Sequence, residues 1–270
     1  MQCFTLYKKN NFIKNVLNII FFINVYFYTR GNIVLNPNLL KIPKIIIALD
    51  FCNKKSAMKL VDLLNPSIYY LKIGKEMFTI LGCKFIKELH KMGFNIFLDL
   101  KFHDIPNTVF NATKAAADLG IWMLSVHASG GKKMLISAKK ALKPFKKNSP
   151  LLIAVTALTS LKEEELKEIG IHISLTEYIL KLSKLSNECG LDGIVCPGKE
   201  AKRIKFLFGN QYKIITPGIR ISKDSLYDQN NIITPKEAKE LEIDYIVIGR
   251  SITMSKNPIK KLDLIIKSMQ

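Results

Sequence analysis

Arginine is nearly missing from this sequence: four residues, at positions 30, 203, 220 and 250, against 37 lysines in 270. A net charge of +19 would ordinarily point to nucleic acid or a membrane surface. Lysine, however, is a point charge without the fork that grips phosphate. Isoleucine and asparagine are abundant too, so the excess reads as compositional drift. No recognition helix or stacking set of aromatics accompanies the charge, and nucleic acid is not an expected partner. Where arginine persists against the drift, a bidentate fork is a reason for it.

Cysteine is sparse as well. The five, at 3, 52, 83, 189 and 196, form no C-x-x-C pair and have no histidine at zinc spacing. Neither a disulfide framework nor a structural metal site is indicated, which fits a reducing, cytoplasmic setting. Cys52 and Cys196 are expected as small fillers of the fold. The single tryptophan, Trp122, opens a strand and is read as packing. A clean membrane span is also lacking: the apolar stretch 12–28 is broken by Lys14, Asn15, Asn18 and Asn24. No small-residue cleavage site follows it. Residues 1–40 are therefore set apart as an N-terminal extension, open to two readings: a dispensable extension or misassigned start, or a targeting or membrane-associating segment.

With 48% hydrophobic residues the remainder, 41–270, is long and apolar enough for one large α/β domain. Its centre is FLDLKFHDIPNT, residues 97–108. In a strand, side chains alternate, so Phe97, Asp99 and Lys101 point one way and Leu98 and Leu100 the other. A strand apolar on both faces is a buried parallel strand. Asp99 and Lys101 then stand at its C-terminal end, with Asp104 just beyond, and charges in such a place are costly unless they have a use.

Strand and helix patterns alternate eight times from Lys44 onward. The strands are KIIIALD, YYLKIG, NIFLDLK, WMLSVHA, LLIAVT, DGIVC, KIITPGI and DYIVIG. About 225 residues in eight β/α units is the size of a (β/α)8 TIM barrel; a doubly wound open sheet is the alternative. Asp50, Lys72, Asp99, Lys101, His127, Thr156, Arg220 and Arg250 all fall at or just past strand C-termini, the face where barrels build their sites. Alternation aims Asp50 and Lys72 in register with Asp99 and Lys101. The loops after strands seven and eight read PGIR (217–220) and IGRSI (248–252), each with a glycine and one of the four arginines. In barrels these two loops commonly hold a phosphate. His127 is read as a structural histidine at the rim.

DLKFHDIPNT closely resembles the diagnostic stretch of the orotidine 5'-phosphate decarboxylase family, and ALD, YLKIG, VHASGG, AVTALTS, PGIR and IGRSI follow that family's order over about 44–268. The resemblance implies a barrel homodimer that decarboxylates orotidine 5'-monophosphate to UMP with no metal or cofactor. It makes Lys101 the proton donor to C6, in an alternating network with Lys72, Asp99 and, from the partner subunit, Asp104. Asp50 and Lys72 would contact ribose hydroxyls, and Ile105 and Thr108 would belong to the substrate-binding set, Thr108 reaching into the partner's site. Thr159 and Ser160 would read the pyrimidine edge. Gln229 would bridge phosphate and base from a lid, while Pro217, Gly218, Arg220, Gly249 and Arg250 hold the phosphate. Residues 1–40 and the lysine content depart from the family pattern; neither touches these positions.

Such residues suit the chemistry. Loss of CO2 from C6 leaves an in-plane carbanion with no π system to absorb it, and the barrier must fall by roughly 20 kcal/mol. A preorganised ammonium can stabilise that charge and then protonate it. The nearest rival is a sister enzyme on the same scaffold, a Mg2+-dependent keto-sugar-phosphate decarboxylase or hexulose-phosphate synthase. Thr159, Ser160 and Gln229 argue against it, because an acyclic sugar has no pyrimidine edge to read.

Overall fold

The computed structural model describes residues 28–29, 32–33, 42–220 and 232–270 of the chain. Eight strands, β1 (Lys44–Ala48), β2 (Tyr69–Gly74), β3 (Ile96–Phe102), β4 (Met123–His127), β5 (Leu151–Val155), β6 (Gly193–Val195), β7 (Lys213–Thr216) and β8 (Tyr245–Ile248), pair in parallel and in sequence order. β8 then pairs with β1, so the sheet closes into a barrel and the open-sheet alternative falls. Branched residues on both faces make this arrangement. In β1, Ile45 and Ile47 pack outward in the layer shared with the helices, while Ile46 and Ala48 face the axis. Phe97, Met123, Ile153, Ile215, Tyr245 and Val247 complete the inner layer. Trp122 packs there too, its ring 4.3 Å from Tyr70 and 5.2 Å from Tyr245.

Local signals start the helices that wrap this sheet. Asn53 caps α1 (Lys54–Val61) by accepting the Ser56 N–H at 2.9 Å. Next come α2 (Lys75–Lys91), α3 (Pro106–Asp118) and α4 (Gly131–Leu142). The sequence suggests one helix per strand, but β5 is followed by two, α5 (Glu163–Glu168) and α6 (Leu175–Glu188), the second capped by Ser174. α7 (Ala201–Phe208) and α8 (Pro235–Glu240) follow, the latter with a Thr234–Glu237 capping box. After β8 a single turn, α9 (Arg250–Thr253), precedes α10 (Pro258–Ser268). Such caps contribute about 1 kcal/mol each. Cys196 is fully buried, as expected of a filler. Cys52 is not: it is exposed, because β1 has already ended and Asn53 is turning the chain into α1.

At the N-terminal end of the barrel two aspartates repeat one device. Asp192, just before β6, accepts the Leu152 N–H of β5 at 2.8 Å and pairs with Lys139 of α4. Asp244, just before β8, accepts the Ile214 N–H of β7 at 3.0 Å and pairs with the buried Lys205 of α7, which also donates to the Tyr212 carbonyl at 3.0 Å. Asp244→Asn leaves the Lys205 charge buried without its counter-ion, a change that costs about 3–5 kcal/mol. A melting temperature lower by roughly 10 °C, with kcat close to that of the parent, is the expected result of thermal and kinetic assays. An unchanged melting temperature would contradict the clamp.

The chain divides into two compact units, Met1–Leu39 and Leu40–Gln270. In the first, Tyr28–Thr29 pairs antiparallel with Asn32–Ile33. The interrupted apolar stretch up to residue 27 lies outside the described residues. Among the described residues no helix is long and apolar enough to cross a membrane.

Candidate active site

Strand β3 supplies two of the charges at the candidate site, Asp99 and Lys101, and it does so with a break. Its ladder to β4 runs Phe97 to Met123 and Leu98 to Leu124, then resumes only at Phe102 to Val126. Three residues of β3 thus stand opposite one residue of β4, Ser125. Inside this bulge Lys101 adopts φ 52°, the left-handed region that non-glycine residues enter at a cost of about 1–2 kcal/mol. The Ser125 hydroxyl fills the gap. It accepts the Lys101 N–H at 2.9 Å and donates to Asp99 Oδ1 at 2.7 Å.

The other carboxylate oxygen faces two ammonium groups. Asp99 Oδ2 lies 2.7 Å from Lys101 Nζ and 3.6 Å from Lys72 Nζ, and Lys72 in turn lies 3.3 Å from Asp50 Oδ1. Parallel register explains the alignment: Ala48 pairs with Lys72, and Gly74 with Asp99. Gly74 also leaves space, since a Cβ there would stand 3.3 Å from Lys72 Nζ and 3.5 Å from Asp50 Oδ1. Burial alone would raise the Asp99 carboxyl, but Lys72, Lys101 and the hydrogen bonds from Lys101 and Ser125 outweigh it and hold the group below its ordinary value. Asp99 is therefore a carboxylate at neutral pH, and the four side chains form a row of alternating charge.

This row lines one side of a cavity of about 250 Å³. Its floor is apolar, built from Ala48, Phe97, Val155, Val195, Ile215 and Val247. The lining continues with Thr159, Pro217, Gly218, Arg220, Gly249 and Arg250, and Gly249 adjoins the row, since a Cβ there would stand 3.4 Å from Asp50 Oδ2. Gly218 takes φ 81°, which a side chain would disfavour. The PGIR loop is pinned where the Arg220 N–H donates to the Ile233 carbonyl at 3.1 Å and the Ile233 N–H to the Gly218 carbonyl at 3.3 Å. The Arg220 guanidinium is nearly buried and held by the Ile219 carbonyl at 2.9 Å. Burial, and then the neighbouring Arg250, push its pKa down. Two like charges held so close favour an anion between them. α9 opens here, with Gly249 as its N-cap.

Of the residues singled out from sequence, Asp50, Lys72, Asp99, Lys101, Thr159, Pro217, Gly218, Arg220, Gly249 and Arg250 meet at this one cavity. Ser160 follows Thr159 but is not part of the lining, and Gln229 lies outside the described residues. Asp104 and Thr108 line a second cavity that shares Lys101 with the first, together with Lys75, His103 and His127. Ile105 projects into solvent. Burial and the nearby His103, Lys101 and Lys75 lower His127 to about 4, so it is neutral at pH 7 and stands apart from the main cavity. Sequence reasoning missed Ser125 and the apolar floor. A lone hydroxyl inside the apolar strand MLSVH was the available signal for the first. Among the described residues no group of three or more His, Cys, Asp or Glu is placed to hold a metal ion.

The sequence model of the "Orotidine 5'-phosphate decarboxylase / HUMPS family" matches residues 43–265. The chain belongs to this family. Among its relatives in the orotidine 5'-phosphate decarboxylase / HUMPS family, the orotidine 5'-phosphate decarboxylase of Buchnera aphidicola subsp. Acyrthosiphon pisum (strain Tuc7) is 90% identical over 237 residues, 88% of this chain and 100% of that protein. The enzyme of the same name from Escherichia coli O45:K1 is 50% identical over 226 residues, 84% of this chain and 92% of that one. The crystal structure of orotidine 5'-phosphate decarboxylase from Lactobacillus acidophilus superposes with a TM-score of 0.74 at 37% identity, over 84% of this chain and 99% of the other.

Proposed function

We propose that this chain decarboxylates orotidine 5'-monophosphate to UMP and CO2, as a carboxy-lyase of de novo pyrimidine biosynthesis. The observation that carries the reading is one cavity lined by both the Asp50–Lys72–Asp99–Lys101 row and the Arg220–Arg250 pair. The apolar part of the lining suits a flat ring. The name of a relative 90% identical to this chain supports the same choice.

The residues divide the work. Arg220 and Arg250, with the backbone at Pro217, Gly218 and Gly249, hold the phosphate, and this remote grip supplies binding energy for closure and orientation. Asp50 and Lys72 take ribose hydroxyls. Thr159 and Ser160 read the pyrimidine edge, and Gln229 spans phosphate and base. As the bond from C6 to the carboxylate breaks, its electron pair stays on C6 beside the Lys101 ammonium. Lys101 then delivers a proton to C6 and recovers one from solvent. Asp99 fixes Lys101 and crowds the departing carboxylate. Residues 41–270 are the catalytic barrel, with 1–40 an extension outside it, and the enzyme is cytoplasmic; the four described cysteines, all unpaired, agree with that setting. Incubation with orotidine 5'-monophosphate should give UMP and CO2 in equal amounts. Unchanged substrate would overturn the reading.

The enzyme acts as a homodimer with shared sites. Asp104 and Thr108 stand away from their own chain's main cavity, and the neighbouring Ile105 is an exposed apolar residue, which supports their service to a second subunit. Lys101→Ala and Asp104→Ala homodimers are each defective at both sites. A mixed dimer has one site with both lesions and one with neither. Random reassortment of equal pools should therefore restore about a quarter of the parent activity. If confirmed exchange restores nothing, Asp104 acts within its own subunit.

A further inference from the structure

We infer that Ser125 is a positioning residue for this reaction, its hydroxyl standing in for the missing ladder partner and locking Asp99 and the Lys101 backbone in one fixed relation; the inference rests on the decarboxylase reading above. The break in the β3–β4 ladder leaves Ser125 alone opposite residues 99–101. Its Oγ is used twice, as acceptor for the Lys101 N–H at 2.9 Å and as donor to Asp99 Oδ1 at 2.7 Å. The residue is fully buried, so solvent has no path to replace either bond. Both bonds serve the reactive pair. The first satisfies an amide that the bulge has taken out of the ladder, in a residue whose backbone sits at φ 52°. The second occupies one oxygen of Asp99 and turns the other toward Lys101 Nζ, at 2.7 Å, and Lys72 Nζ, at 3.6 Å. A proton donor displaced by about 1 Å can lose a factor on the order of 100 in rate, and Ser125 fixes both ends of the link that places it.

Ser125→Ala removes one oxygen and no packing volume beyond it. The variant is expected to fold, to keep KM for orotidine 5'-monophosphate within about threefold, and to lose kcat by roughly 10- to 100-fold. The acid limb of its kcat/KM profile should move to higher pH, because Asp99 loses a hydrogen bond that favours its charged form. Ser125→Thr keeps the hydroxyl and should recover most of kcat. A second readout needs no turnover: amide hydrogen exchange at Lys101, slow in the parent, should quicken at least about tenfold in Ser125→Ala and stay slow in Ser125→Thr. A Ser125→Ala enzyme with kcat within threefold of the parent, or with Lys101 exchange unchanged, overturns the inference. A parent enzyme that ignores orotidine 5'-monophosphate would instead defeat the proposed function, while the exchange experiment still decides whether Ser125 holds Lys101.

Discussion

Lys101→Ala is expected to lower kcat by at least a factor of about 100, the lower range of what a positioned proton donor contributes, while UMP binding measured by calorimetry stays within a few-fold. The asymmetry follows from where the side chain acts. In the proposed mechanism phosphate and ribose are held by Arg220, Arg250, Asp50 and Lys72, whereas Lys101 faces the atom on which charge develops only as CO2 leaves. Asp99 remains paired with Lys72 at 3.6 Å and so stays a buried carboxylate with a partner, which keeps the fold intact. Retention of more than about a hundredth of kcat would remove Lys101 as the acid.

Arg220→Ala and Arg250→Ala should each lower kcat/KM for the phosphorylated substrate by about 100-fold, as loss of charge-assisted hydrogen bonds of 1.5–3 kcal/mol implies. Lysine at either position should recover only part of this, since a point charge cannot form the two parallel bonds of a guanidinium fork. The control is the unphosphorylated nucleoside orotidine, for which the parent and variants should differ little. Equal losses on both substrates would show that neither arginine reads phosphate.

Much of this site was legible because parallel strands buried on both faces obey a simple rule. Alternation put Asp50, Lys72 and Asp99 on the inner face, and parallel pairing brought them side by side. Arginine scarcity directed attention to Arg220 and Arg250 for the same reason that composition is informative: a residue kept against drift has a geometric task. Lys101 shows the limit. Alternation alone assigns it to the Asp99 face, yet it reaches Asp99 through a bulge and a left-handed backbone, set by where β4 resumes pairing at Val126. Periodicity presumes an unbroken ladder and cannot report a slip imposed by the neighbouring strand. Ser125 was overlooked on the same account, because its role exists only opposite that slip. Cys52 was misjudged as a filler because residue type outweighed position; it belongs to the turn between β1 and the Asn53 cap, where nothing covers it.

Asp104 stood out by its place just past the buried strand, but its assignment to a partner's site, and any role for Thr108, came only through the family resemblance. On their own chain they border the second cavity, and the proposed shared site would need an arrangement of two subunits that no single-chain periodicity encodes.

In the proposed mechanism a row of protein charges, with no metal, turns over a pyrimidine nucleotide. Its most direct test is the initial rate of absorbance loss on addition of orotidine 5'-monophosphate to the purified full chain in excess EDTA, with a parallel sample in Mg2+. Rapid loss at the same rate in both is the expected result. Absence of turnover in EDTA with recovery in Mg2+, or activity on a keto-sugar phosphate in place of the nucleotide, would contradict it.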